Sequence, residues 1–242
     1  MKLWQNFLRP HNIEDALNDL QNSPAPACAI AGGTDLILDL QQGKHPPVHT
    51  LVDLTGIPAL QALEGRGKSL FIGAAVPVSR LSDSSLVRRH AEALSEACAL
   101  IAGPQVRNVA TLGGNVAHAL PAADGSTALM CLDVQVEVAD RSGMRRIRFA
   151  DLFVGPGKSS LKVGREIITG FLIPLKQQGQ ASAFRRVMRM QGIALPVLNL
   201  SVWLECSGEH IGRIRVAAGP SGPTPRRLEA VEAEVCGKAP DN

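Results

Sequence analysis

Residues 109–129 read V-A-T-L-G-G-N-V-A-H-A-L-P-A-A-D-G-S-T-A-L, in which the paired glycines Gly113 and Gly114 precede Asn115, His118 and Asp124. Glycine pairs admit positive φ and let the backbone approach a ligand or another backbone closely. N–H groups freed by such a turn can form a concave anion site. Far upstream, A-I-A-G-G-T-D-L at 29–36 has the same chemistry: an apolar run, then Gly32-Gly33, then Thr34 and Asp35 opening a helical pattern. A strand that ends in Gly-Gly before a helix gathers free N–H groups at a helix N-terminus, which favours a phosphate. One such turn is more often an ordinary tight turn than a ligand site. Two of them point to one extended ligand that carries a diphosphate.

Outward from these turns, the periodicity alternates between helix and strand. Ile13, Ala16, Leu17 and Leu20 recur at helical spacing behind Asn12, which predicts a capped helix ended by the proline-rich residues 23–26. Residues 27–31 read as a buried strand, 34–42 as a helix stopped by Gly43, and 49–54 as a second strand. Residues 60–63 and 70–74 predict a hairpin around 64–67. Residues 78–101 predict one helix, striped by Leu86, His90, Ala93, Leu94, Ala97 and Ile101. A helix at 126–132 and strands at 134–139, 145–149 and 166–174 follow. Beyond polar residues 176–180, the segments 182–190, 195–205 and 211–217 alternate like a small antiparallel sheet, and 226–236 returns to helical spacing. This succession predicts an α+β fold, not a doubly wound parallel sheet. The expected organisation is a domain over 1–176, with two subdomains meeting near residue 55, and a small C-terminal domain over 180–242.

Composition excludes several classes. Among 242 residues, 25 Lys+Arg against 22 Asp+Glu leave a charge of +3, and aromatics make up 3% with no Tyr. Neither a nucleic-acid track nor a base-stacking platform fits those figures. The arginines at 141–148 are expected on a solvated face. No apolar run approaches the roughly 20 residues that span a bilayer, and the N-terminus lacks a secretory signature, so a cytosolic protein without a membrane span is expected. Cys28, Cys98, Cys131, Cys206 and Cys236 are never in C-x-x-C spacing, and four of them sit among apolar or small neighbours as expected of core thiols. No histidine pattern has ligand spacing, so no metal is predicted. The run 154–159, V-G-P-G-K-S, misses a nucleotide phosphate loop because Leu152 stands where its first glycine is needed. Gly65-Arg-Gly67 lacks the third glycine of a dinucleotide fingerprint. No nucleophile–base arrangement stands out, and no catalytic residue is assigned.

The motifs A-G-G-T-D-L and T-L-G-G-N, with G-P-Q-V-R-N at 103–108 before the second, resemble the FAD-binding subunit or domain of the molybdenum-containing hydroxylases. That family includes xanthine dehydrogenase, carbon monoxide dehydrogenase and 4-hydroxybenzoyl-CoA reductase. The likeness runs from about residue 13 to about residue 234. It implies an FAD-binding fold of the vanillyl-alcohol-oxidase type, FAD as cofactor, and two partners: a molybdopterin-binding large subunit and a two-iron two-sulfur small subunit. By the resemblance, electrons from the molybdopterin centre cross the clusters, reach FAD, and leave to NAD+, oxygen or another acceptor. The chain alone then oxidises no organic substrate. Family members continue past the position of Val235, so the expected C-terminal domain is an abbreviated one. The absence of a cluster-binding cysteine set departs from the benzoyl-CoA reductase branch.

Carried over residue by residue, Ala29, Ile30, Ala31, Gly32, Gly33, Thr34, Asp35 and Leu36 grip the diphosphate from one side. Thr111, Leu112, Gly113, Gly114 and Asn115 do so from the other. The resemblance also puts Asp124 on the adenosine ribose, and Ile168 and Arg185 against the flavin ring. On residue chemistry alone, Thr111 offers a hydroxyl and Asn115 both a donor and an acceptor. Asp35 can cap its helix or accept from a ribose hydroxyl, and Asp124 can cap the helix beginning near Ser126. Arg185 can equally be a strand-edge surface charge, since Arg186 and Arg189 stand beside it. His118 departs from the family, which often has Thr, Ser or Ala there. Three readings of it stay open: a contact to the flavin end, a packing histidine, or a dispensable residue. Two other functional readings stand beside the flavoprotein: a flavin-free scaffold of the same fold, and a self-sufficient flavin oxidoreductase.

Overall fold

A computed structural model describes residues 2–188 and 195–240. Strand β1 (Asn6–Leu8) leads into helix α1 (Ile13–Asn22). Asn12 closes the first turn of α1, its side-chain oxygen accepting from the Asp15 N–H at 2.8 Å, and Ala16, Leu17 and Leu20 form the buried face. Strand β2 (Ala27–Ile30), helix α2 (Leu36–Gln41) and strand β3 (Thr50–Asp53) follow. The three strands form a parallel sheet in the order β1-β3-β2. With only three residues, β1 is too short to leave a periodic signal.

The expected hairpin is β4 (Leu63–Arg66) and β5 (Ser69–Gly73), with Gly67 at φ 59 in its turn. The single helix expected over 78–101 is instead three: α3 (Val78–Asp83), α4 (Ser85–His90) and α5 (Glu92–Leu100). Ser84 ends the first and caps the second, its hydroxyl accepting from the Val87 N–H at 3.3 Å. Ala91 leaves helical geometry between the second and third. An apolar stripe reports the buried face, and that face runs on across both breaks: Leu81, Val87, Leu94 and Ala97 are all fully buried. Short helices α6 (Pro104–Arg107) and α7 (Leu112–Ala117) come next, then α8 (Asp124–Cys131), which begins two residues before the expected start.

Strands β6 (Gln135–Asp140) and β7 (Gly143–Arg148), a small hairpin of β8 (Phe153–Gly155) and β9 (Lys158–Ser159), and β10 (Ile167–Pro174) complete this part. The antiparallel sheet has the order β4-β5-β10-β6-β7, so β10 lies in the middle and every residue of it but Pro174 is buried. At Gly170 the register with β6 shifts, and an added Cβ would lie 2.4 Å from the Phe71 ring. The arginines of edge strand β7 face solvent, Arg146 paired with Glu137 and Arg148 with Asp151.

The last sheet, β11 (Gln180–Met188), β12 (Pro196–Ser207), β13 (His210–Gly219) and β14 (Arg226–Arg227), is antiparallel in chain order. Residues 226–236, expected to be helical throughout, divide into β14 and α9 (Glu229–Val235), because β13 captures Arg226 and Arg227 by pairing. Arg189 and Met190, at the end of an expected strand, lie outside the described residues. One face of this sheet sends Phe184 and Ala217 into the cluster formed by α3, α5, α8, β5, β6 and β10. Cys98 and Cys131 are buried there, whereas Cys28 is half-buried and Cys206 and Cys236 are exposed, so two core thiols replace the four expected. Among the described residues no helix is long and apolar enough to cross a membrane.

Candidate functional site

A cleft of about 510 Å³ opens between the end of β2 and the starts of α7 and α8, within the size range of ligand pockets. Its closest approach lies where the two glycine turns meet. A Cβ built on Gly32 would stand 2.3 Å from the Val109 carbonyl oxygen and 2.8 Å from the Ala110 Cα. No side chain fits there, so the absence of one at Gly32 lets the residues before Thr111 sit directly on the upstream turn. Gly33 carries the positive φ, +69°, that swings the chain into α2. Ala29, Ile30, Ala31, Gly32, Gly33, Thr34, Asp35 and Leu36 all line the cleft.

The two turns do not play matching parts. Among the described residues, the N–H groups of Gly32, Gly33, Thr34 and Asp35 donate to no backbone carbonyl. In the second turn the donors are spent. Leu112 donates to the Val76 carbonyl at 3.2 Å, Gly113 to that of Ala74 at 2.9 Å, and Asn115 to that of Thr111 at 3.0 Å. The Gly114 N–H reaches the Thr111 hydroxyl at 3.1 Å, so Thr111 is the cap of α7. Gly113 faces away from the cleft: its added Cβ would meet the Ala74 carbonyl oxygen at 2.6 Å. Leu112 is fully buried in the core. Thr111, Gly114 and Asn115 line the cleft, and the Asn115 Oδ1 is buried with no partner among the described residues. Free N–H groups on one wall and an unpaired amide oxygen on the other suit a ligand with an anionic centre and hydroxyl groups.

Asp124 also lines the cleft, but it does not cap its own helix. Its carboxylate accepts from the Arg186 guanidinium at 2.7 Å, both side chains being more than nine-tenths buried. Burial outweighs that cation and pushes the Asp124 carboxyl up to about 6. Arg186 joins β11 to α8 at the cleft wall, and the sequence flags it only as a basic neighbour of Arg185. Arg185 itself points outward, its side chain 75% exposed and paired with Glu96 at 3.0 Å. The alternation of β11 decides this: one arginine of a consecutive pair must face the core and the other solvent. Ile168 is likewise not at the cleft. It is buried in β10 opposite Val138, within the main core.

His118, one turn beyond Gly114, crosses toward α2. Its Nε2 lies 3.3 Å from Asp39 and its Nδ1 3.7 Å from Asp35. Asp39 was not legible as a cleft residue. Nor were Ile101, Ala102 and Val106, which the α6 turn delivers to the opposite rim as Arg107 donates to the Ile101 and Ala102 carbonyls.

Residues 3–176 match the family model described as the FAD binding domain in molybdopterin dehydrogenase. The chain is 29% identical over 234 residues to the xanthine dehydrogenase FAD-binding subunit of Escherichia coli O157:H7, covering 95% of this chain and 78% of that one. It is 34% identical over 214 residues to the nicotine 6-hydroxylase medium subunit of Paenarthrobacter nicotinovorans, covering 88% of this chain and 73% of that one. The fold superposes on a chain of carbon monoxide dehydrogenase from Hydrogenophaga pseudoflava with a TM-score of 0.92 at 27% identity, covering 98% of this chain and 82% of that one.

Proposed function

Because the chain belongs to the family of FAD-binding domains in molybdopterin dehydrogenases, we propose that the cleft between its two glycine turns holds FAD for relay of electrons between partner subunits. The chain is an oxidoreductase subunit of the xanthine and carbon monoxide dehydrogenase type, and FAD is its cofactor. The observation that carries the placement is the seating of Gly32 on the Val109 carbonyl, which gives both turns one shared cleft. The unspent N–H groups at 32–35 would take the diphosphate, with Asn115 facing it from α7. Asp124 and Arg186 form the far wall, where the ion pair fixes a cation and a carboxylate against the adenosine or flavin end. The run Ala29–Gly33 lines the wall opposite, with alanine and glycine at all but Ile30 letting the ligand lie close to the backbone.

When bound, FAD supplies redox chemistry: electrons come from two-iron two-sulfur clusters on a small subunit, fed by a molybdopterin centre on a large one, and go to NAD+ or another acceptor. Names of relatives as an FAD-binding subunit and a medium subunit support a place among such partners. The test is addition of FAD to the purified chain, followed by gel filtration and measurement of flavin absorbance. One FAD per chain is expected, and Gly32→Ala should abolish retention. Undiminished retention by Gly32→Ala would move the flavin out of this cleft. Co-purification of the native complex, read by subunit mass and by molybdenum and iron content, tests the partners.

A further inference from the structure

We infer that His118 is a proton-operated clasp over the FAD site, and the inference rests on the reading that FAD lies in this cleft. His118 stands four residues after Gly114, its N–H bonded back to the Gly114 carbonyl at 3.1 Å. Asp35 stands two residues after Gly33, and Asp39 lies one turn further along α2. Spacing of four puts both carboxylates on one face of that helix. The imidazole therefore joins the helix of one turn to the helix of the other, over the line where the ligand's anionic centre is held.

Both ring nitrogens face carboxylates, Nε2 to Asp39 at 3.3 Å and Nδ1 to Asp35 at 3.7 Å. A neutral imidazole can hydrogen-bond Asp39 but carries no charge toward Asp35; the imidazolium attracts both, bonded to Asp39 and paired at longer range with Asp35. Protonation thus decides whether one carboxylate or both are held. It also decides the local charge. With the imidazolium, the three groups sum to one negative charge; with neutral imidazole they sum to two, beside a diphosphate. The other titratable or charged side chains lining the cleft are Cys28, His45 just past α2, and the ion pair of Asp124 with Arg186. His45 offers the two aspartates no replacement cation within ion-pair distance among the described residues. Loss of the proton from His118 removes the cation, so the clasp slackens as pH rises and FAD leaves faster.

The experiment loads the full chain with FAD and follows release after dilution, by recovery of flavin fluorescence, from pH 5.5 to 8.5. For partly exposed ion pairs, wild-type release should quicken by about threefold to fivefold across the range. His118→Gln, which keeps one amide donor and carries no charge, should release FAD faster than the wild type at low pH and lose most of the profile, the change that remains near pH 6 belonging to Asp124. Asp39→Asn leaves His118 in place and should flatten most of the profile. Release from the wild type that ignores pH, or a profile that survives His118→Gln or Asp39→Asn undiminished, overturns the clasp while leaving the FAD site standing. A chain that binds no FAD at any pH overturns the site and the clasp together.

Discussion

Gly32 and Arg186 show how much single residues decide here. Alanine at Gly32 would drive its Cβ to 2.3 Å from a backbone carbonyl that cannot rotate away. Overpacking of this kind costs about 1–3 kcal/mol, and the strain would fall on the cleft itself. Gly32→Ala is therefore expected to lower both thermal stability and flavin content, whereas Gly65→Ala, with open space around it, should change neither. Differential scanning fluorimetry with flavin quantification checks the pair. At Arg186 the sign of the pH effect is informative. The Asp124 carboxyl is raised in the fold to about 6 from 3.8, so the folded state holds its proton more tightly than the unfolded chain does. Its contribution to stability is full below about pH 4 and is lost as pH climbs through 6. Arg186→Met removes the cation that limits this loss. It should cost about 3–5 kcal/mol at pH 7, where the carboxylate stays buried and unpaired, and far less at pH 4.5. Urea unfolding of the flavin-free chain at both pH values measures it.

Among the elements, α7 bears the most on the site for its length. Its six residues begin at the Thr111 cap and carry Gly114 and Asn115, with His118 at its C-terminal end. A helix this short has almost no stability of its own, so its cap matters disproportionately. Thr111→Ala should cost about 1 kcal/mol and weaken FAD binding, while Thr111→Ser should restore both; calorimetric titration with FAD separates the outcomes. Helices 78–100 teach the complementary lesson. Their apolar spacing was readable, but the breaks were not, because Ser84 is one of many serines and only packing selects it as a cap. The family resemblance puts Ile168 against the flavin ring, and the fold puts it in the core on a central strand buried on both faces, whose sequence gives no alternation to tell those faces apart.

For the molecule as a whole, the C-terminal sheet is not a separate appendage. Phe184 is 1% exposed and lies in the same core cluster as Leu94, Leu129 and Phe171. Ser182 and Glu96 add hydrogen bonds across the junction, the Ser182 hydroxyl accepting from the Ala93 N–H at 3.1 Å and the Glu96 carboxylate from the Phe184 N–H at 2.6 Å. Phe184→Ala should thus lower the stability of the entire chain by about 3–5 kcal/mol. It should still unfold in one transition, by circular dichroism and by the fluorescence of Trp4 and Trp203 alike. Two separate transitions would contradict this continuity.

The sequence by itself determined the α+β class, the order of most elements and the two glycine turns, because propensity, caps and glycine freedom are local properties of the chain. It also determined the family, through motifs whose order and spacing are themselves sequence. Only the tertiary structure decided that the first turn keeps free donors while the second spends its own, that Arg186 and not Arg185 faces the cleft, and that His118 meets Asp35 and Asp39. Each of those facts depends on which segments lie side by side, and residues 79 positions apart in the chain, such as Asp39 and His118, leave no mark of their meeting in a linear pattern.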